Sequence, residues 1–117
     1  MKPRSEFETH RLAVYGTLAP GRPNHHHLEA LKGSWRQGSI RGRLVAEGWG
    51  ADMGFPGLVL DPEGPSIEVQ VLESDDLPLH WARLDAFEGP GYRRVVATVA
   101  TPGGDFEACI YVLDRSV

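Results

Sequence analysis

The residue whose type and place invite chemistry is Glu88. Leu77, Trp81, Leu84 and Phe87 recur every three or four residues, the spacing of one helix face, and Glu88 falls at the end of that helix. Gly89-Pro90-Gly91 stops the helix directly behind it. A carboxylate there meets the negative end of the helix dipole, a placement that costs about 0.3–1 kcal/mol where Lys or Arg would be favourable. The same field holds the carboxyl proton more tightly, toward the range in which one group can both take and return a proton near neutrality. Two readings stay open from the residues alone: a proton-shuttling carboxyl, or a solvated surface glutamate.

Tyr15-Gly16-Thr17-Leu18 is the second candidate. A strand ends at Gly16, and a Pro/Gly loop leads from it to a helix. Such a turn can aim several backbone N–H groups at one point, a nest for a carboxylate, and Gly16 lets a ligand approach the main chain closely. The alternative is a plain tight turn. No glycine-rich nucleotide-binding pattern is present. His25-His26-His27 suggests a metal only superficially, because successive helical positions point about 100° apart and do not converge on one ion. Neither a metal nor a cofactor is expected. Cys109, between Ala108 and Ile110 in a strand, reads as a small buried hydrophobe. Tyr15, Tyr92 and Tyr111 carry hydroxyls suited to a ligand or to the core, and Trp49 and Phe55 line a pocket rim or plug a barrel end.

The elements that must position these groups follow from period and punctuation. Arg11–Thr17 reads as a strand, and Asn24 caps a short helix through His25, Leu28 and Leu31 that Gly33 ends. Ser34–Glu47 reads as a long or bulged strand, 48–57 as a loop, and Leu58–Leu60 and Ile67–Leu72 as strands around the turn at 61–65. The helix carrying Glu88 follows. Tyr92–Thr101 and Asp105–Leu113 form a hairpin around Pro102-Gly-Gly104. In the last strand Ala108, Ile110 and Val112 face one way and Cys109, Tyr111 and Leu113 the other, which predicts a central strand covered on both sides. The whole is an α+β domain, a small mixed, curled, barrel-like sheet of about six strands with two flanking helices.

Composition narrows the classes. The 117 residues make one domain, 1–117, with 1–10 as a polar lead-in. Twelve Lys+Arg against sixteen Asp+Glu give a net charge of −4, which disfavours nucleic acid and acidic membrane surfaces as partners. Fourteen Gly and nine Pro favour short strands and turns over a helix bundle. A single cysteine and the lack of a signal-like or membrane-spanning apolar run predict a cytoplasmic protein, with a monomer or a homodimer both left open.

Val14-Tyr-Gly-Thr-Leu18, Pro23-Asn-His-His26, Phe55-Pro-Gly-Leu58 and above all Leu84-Asp-Ala-Phe-Glu-Gly-Pro-Gly-Tyr-Arg93 together resemble the γ-glutamylcyclotransferase-like family. That family includes the γ-glutamylamine cyclotransferases and the plant avirulence-induced proteins. The resemblance runs from about residue 12 to residue 113. It implies a mixed barrel with flanking helices and release of 5-oxoproline from a γ-glutamyl substrate without a cofactor. It also implies that Tyr15, Gly16, Thr17 and Leu18 hold the glutamyl carboxylate, that Glu88 is the acid/base, and that Tyr92 walls the pocket. Many relatives carry Gly-Glu in the strand before the catalytic helix, where this chain has Val69-Gln70. A non-catalytic module of the same fold that binds a small carboxylate is the alternative.

Overall fold

Alternation of apolar side chains builds a sheet with two buried faces. The computed structural model describes residues 9–15, 28–29, 31–45, 57–89 and 91–113. Among these, the strands are β1 (Arg11–Val14), β2 (Ser34–Val45), β3 (Gly57–Leu60), β4 (Ser66–Glu73), β5 (Tyr92–Thr101) and β6 (Gly104–Leu113). The sheet order is β3-β2-β4-β1-β6-β5, and a further pairing of β2 with β5 at Ser39 and Ala100 closes β2, β4, β1, β6 and β5 into a barrel. β3 lies outside that circuit as an extra strand on β2. Every pairing is antiparallel except β1 with β6, which is parallel.

Ala13, Ile40, Val69, Val71, Val99, Ala108, Ile110 and Val112 form the cluster that fills the barrel. Leu12, Val14, Leu72, Cys109 and Tyr111 alternate with them and pack outside, against Leu28, Leu31, Leu77, Trp81 and Leu84. β6 is therefore covered on both faces, as its sequence predicts, and Cys109 is a buried thiol. Gly38 lets β2 and β5 close on each other: a Cβ there would collide with Val99 Cγ1 and lie 3.0 Å from the Ala100 carbonyl oxygen.

The helical segment differs from its expected form. A single 3₁₀ turn at Leu77–Leu79 is followed by an α-helix, α1 (Trp81–Glu88), where the sequence predicts one helix from Leu77. Pro78 has no N–H and fits an opening turn, so the chain winds tightly there before α1 begins. The His80 N–H bonds to the Leu77 carbonyl at 2.8 Å, and its own carbonyl accepts from Leu84 N–H at 3.0 Å, joining the two pieces. Leu77, Trp81 and Leu84 still share one buried face. β1 ends at Val14, with Tyr15 just beyond it. The predicted helix from Asn24 lies outside the described residues apart from Leu28, Glu29, Leu31 and Lys32, as does the loop at 48–57 apart from Gly57.

Candidate active site

Glu88 is the last residue of α1, and the turn behind it fixes its place. Gly89 has φ 81°, a left-handed conformation that favours glycine. Its N–H bonds to the Asp85 carbonyl at 3.0 Å, and its carbonyl accepts from Tyr92 N–H at 3.2 Å, so the chain turns at once into β5. The result is a carboxyl drawn in against the barrel. Burial pushes Glu88 from an ordinary 4.5 up to about 7. The sequence argument reaches the same direction from the helix dipole, whereas in the fold the cause is removal from water.

Glu88 lies within electrostatic reach of both Tyr15 and Tyr111 and raises the pKa of each. Burial is the larger cause for both phenols, so both remain protonated at neutral pH. The Tyr15 hydroxyl donates to the Tyr111 carbonyl at 2.8 Å and accepts from Leu58 N–H at 3.1 Å. It thereby ties the end of β1 to β6 and β3, and one acceptor lone pair is left over from these two bonds. Tyr92, the first residue of β5, also bears electrostatically on Tyr15. Four of the residues singled out from the sequence, Glu88, Tyr15, Tyr92 and Tyr111, thus gather at the end of α1. Gly16, Thr17 and Leu18 lie outside the described residues, as do His25, His26, His27, Trp49 and Phe55.

Sequence reasoning names Tyr111 but misses the partners it meets, Asp85 and Arg94. Tyr111 donates its hydroxyl to Asp85 Oδ1 at 2.6 Å. Arg94 approaches the same carboxylate through Nε, 3.3 Å from Oδ1, and Nη2, 3.4 Å from Oδ2. The Arg94 guanidinium also lies 4.3 Å from the centre of the Trp81 ring. Arg94 and Tyr111 are cross-strand partners in register, which is why both reach one helical turn. The three-residue spacing of Asp85 and Glu88 is the available signal, since residues three apart share a helix face.

Tyr15 and Val14 also border an open concavity of about 570 Å³ whose lining includes Gln37, Glu68, Gln70 and Thr101. Gln70, Gln37 and Val14 sit side by side in register across β4, β2 and β1. Among the described residues no cluster of three or more His, Cys, Asp or Glu is placed to hold a metal ion, and no helix is long and apolar enough to cross a membrane.

Residues 12–117 match the family model described as gamma-glutamyl cyclotransferase, AIG2-like. No curated protein matches the sequence. Among solved structures, YkqA from Bacillus subtilis is 32% identical with a TM-score of 0.70 over 89% of this chain and 35% of its own, so the chain spans about a third of YkqA. An AIG2-like protein from Mus musculus is 28% identical, with a TM-score of 0.67 over 92% of this chain and 78% of its own. PH0828 from Pyrococcus horikoshii is 28% identical, with a TM-score of 0.60 over 88% and 76%.

Proposed function

The chain belongs to the gamma-glutamyl cyclotransferase, AIG2-like family, and on that premise we propose that it cyclises a γ-glutamyl compound, releasing 5-oxoproline and an amine or amino acid. The observation that carries this reading is Glu88, a half-buried carboxyl whose pKa stands at about 7. A carboxyl at that value is ionised and protonated in comparable amounts near neutrality, the condition for serving as base and then as acid.

The substrate brings its own nucleophile. Glu88 takes a proton from the α-ammonium, and the freed amine attacks the γ-carbonyl carbon. A C–N bond forms and closes the five-membered lactam. The original γ-C–N bond breaks as Glu88 returns its proton to the departing nitrogen, and the ring nitrogen sheds its second proton, which leaves on the released amine as its ammonium form. One amide replaces another, so the balance needs neither ATP nor a redox partner. Holding the glutamyl chain curled supplies effective concentration, and backbone N–H groups of the 15–18 loop stabilise the oxyanion. Tyr15, Gly16, Thr17 and Leu18 are assigned to the glutamyl carboxylate and Tyr92 to the pocket wall. The family match and the nearness of Tyr15 to Glu88 support these assignments.

The test is incubation with a panel of γ-glutamyl amines and peptides while 5-oxoproline is followed. Release by the wild type and a fall of about 10²–10⁴-fold in Glu88→Gln is expected, the usual worth of general acid–base catalysis. Gln70, at the place where many relatives carry Glu, favours a second reading, a non-catalytic module that binds a small carboxylate. Calorimetric binding of a γ-glutamyl compound without 5-oxoproline release would decide for it.

A further inference from the structure

Two carboxylates occupy the last turn of α1, where the helix dipole opposes both and no basic residue of that turn compensates. Glu88 is drawn in against the barrel. Asp85, one turn earlier, is met from outside the helix by two groups on adjacent strands, Tyr111 at 2.6 Å and Arg94 at 3.3 Å. The side chains of Asp85 and Arg94 are 44% and 28% exposed, so their pairing adds little to stability. Its geometry is more telling. Arg94 presents two nitrogens to two oxygens and packs on Trp81, the first residue of the same helix. Arg94 therefore contacts the first residue of α1 and the start of its last turn. The backbone carbonyl of Tyr111 holds the Tyr15 hydroxyl, so the residue that grips Asp85 through its side chain fixes Tyr15 through its main chain.

We propose that Asp85 is a positioning residue, gripped by Tyr111 and Arg94 so that the last turn of α1 holds the Glu88 carboxyl in fixed register with Tyr15. The role rests on the acid/base assignment of Glu88, and it acts through Glu88 without touching substrate. The groups that bear on the Glu88 region are Tyr15 beyond β1, Tyr92 and Arg94 on β5, Tyr111 on β6, and Asp85 on α1 itself. Loss of Asp85 releases the grip of Tyr111 and Arg94 on the turn and loosens it toward water. Lesser burial favours the Glu88 carboxylate.

Asp85→Ala, Asp85→Asn and Tyr111→Phe are compared with wild type by 5-oxoproline kinetics, by thermal melting, and by ¹³C NMR titration of glutamate carboxyls, with Glu88→Gln assigning the resonance. Asp85→Ala is expected to lower kcat about 10–100-fold, the range a displacement of near 1 Å produces, with KM changed less than about threefold. The Glu88 titration should move from near 7 toward the ordinary carboxyl range. Asp85→Asn keeps an acceptor for Tyr111 and should recover part of the rate. Tyr111→Phe keeps the ion pair and covers the case in which Asp85→Ala does not fold. A lowered melt with unchanged kcat and an unmoved Glu88 titration in the folded variants overturns the proposal and leaves Asp85 a structural residue. A titration that moves in the variants while the wild type releases no 5-oxoproline supports the positioning and rejects the cyclotransferase reading, so the two fail separately.

Discussion

Replacing Glu88 by Gln should change how stability depends on pH. In the unfolded chain the carboxyl titrates near its ordinary 4.5, and in the folded chain near 7. Between those values the folded protein keeps a proton that the unfolded chain has released. Raising the pH therefore favours unfolding, and the penalty grows from about pH 4.5 and is complete above about pH 7. A shift of that size, at about 1.4 kcal/mol per unit, amounts to on the order of 3 kcal/mol. Gln has nearly the same shape and does not titrate, so the variant escapes the penalty. The assay is urea unfolding of both proteins at pH 5, 6, 7 and 8, with the two free energies subtracted at each pH so that other titrating groups cancel. The difference should move in favour of Glu88→Gln by a few kcal/mol across the series. A difference that stays flat would place Glu88 in water and refute the buried-carboxyl argument, together with the proton-transfer role built on it.

Other consequences are tested more simply. Tyr15→Phe deletes the hydroxyl that serves the Tyr111 carbonyl and Leu58 N–H, and should lower stability by about 1–3 kcal/mol in urea unfolding. An unchanged midpoint would show that this hydroxyl does not tie the strands. Gly38→Ala drives a methyl against Val99 Cγ1 and the Ala100 carbonyl and should cost about 1–3 kcal/mol. A variant as stable as wild type would contradict the close approach of β2 to β5 that completes the barrel.

Much of the sheet is legible before any coordinates. β6 carries apolar residues on both parities, so both faces had to be covered, and it is flanked by β1 and β5 in the barrel wall. The hairpin at 102–104 follows from its proline and glycines, and the boundaries of β3, β4 and β6 differ by one residue from expectation. The split before α1 was readable from Pro78, had its missing N–H been weighed above the regular spacing of Leu77, Trp81 and Leu84. Glu88 was visible as a misplaced charge. The origin of its raised pKa was not, because burial depends on which strands fold over the end of the helix. The grip on Asp85 was hidden for a similar reason. Arg94 and Tyr111 lie nine and twenty-six residues away, and only the β5–β6 register brings them to the same turn.

The parallel pairing of β1 with β6 bears on how the chain is synthesised. β6 is the last strand of the described chain, yet it sits between β1, the first strand, and β5. While the ribosome still holds residues 104–113, β1 and β5 each present an unpaired edge, and Val71 and Val99 have no Ile110 or Val112 to pack beside. Nothing made earlier can substitute, since β4 and β2 are already occupied on their own neighbours. A message cut short within β6 yields an open, sticky sheet instead of a weakened barrel, a species exposed to aggregation and to proteolysis. Closure is thus deferred until translation has passed Leu113, and quality control during synthesis meets an all-or-nothing product.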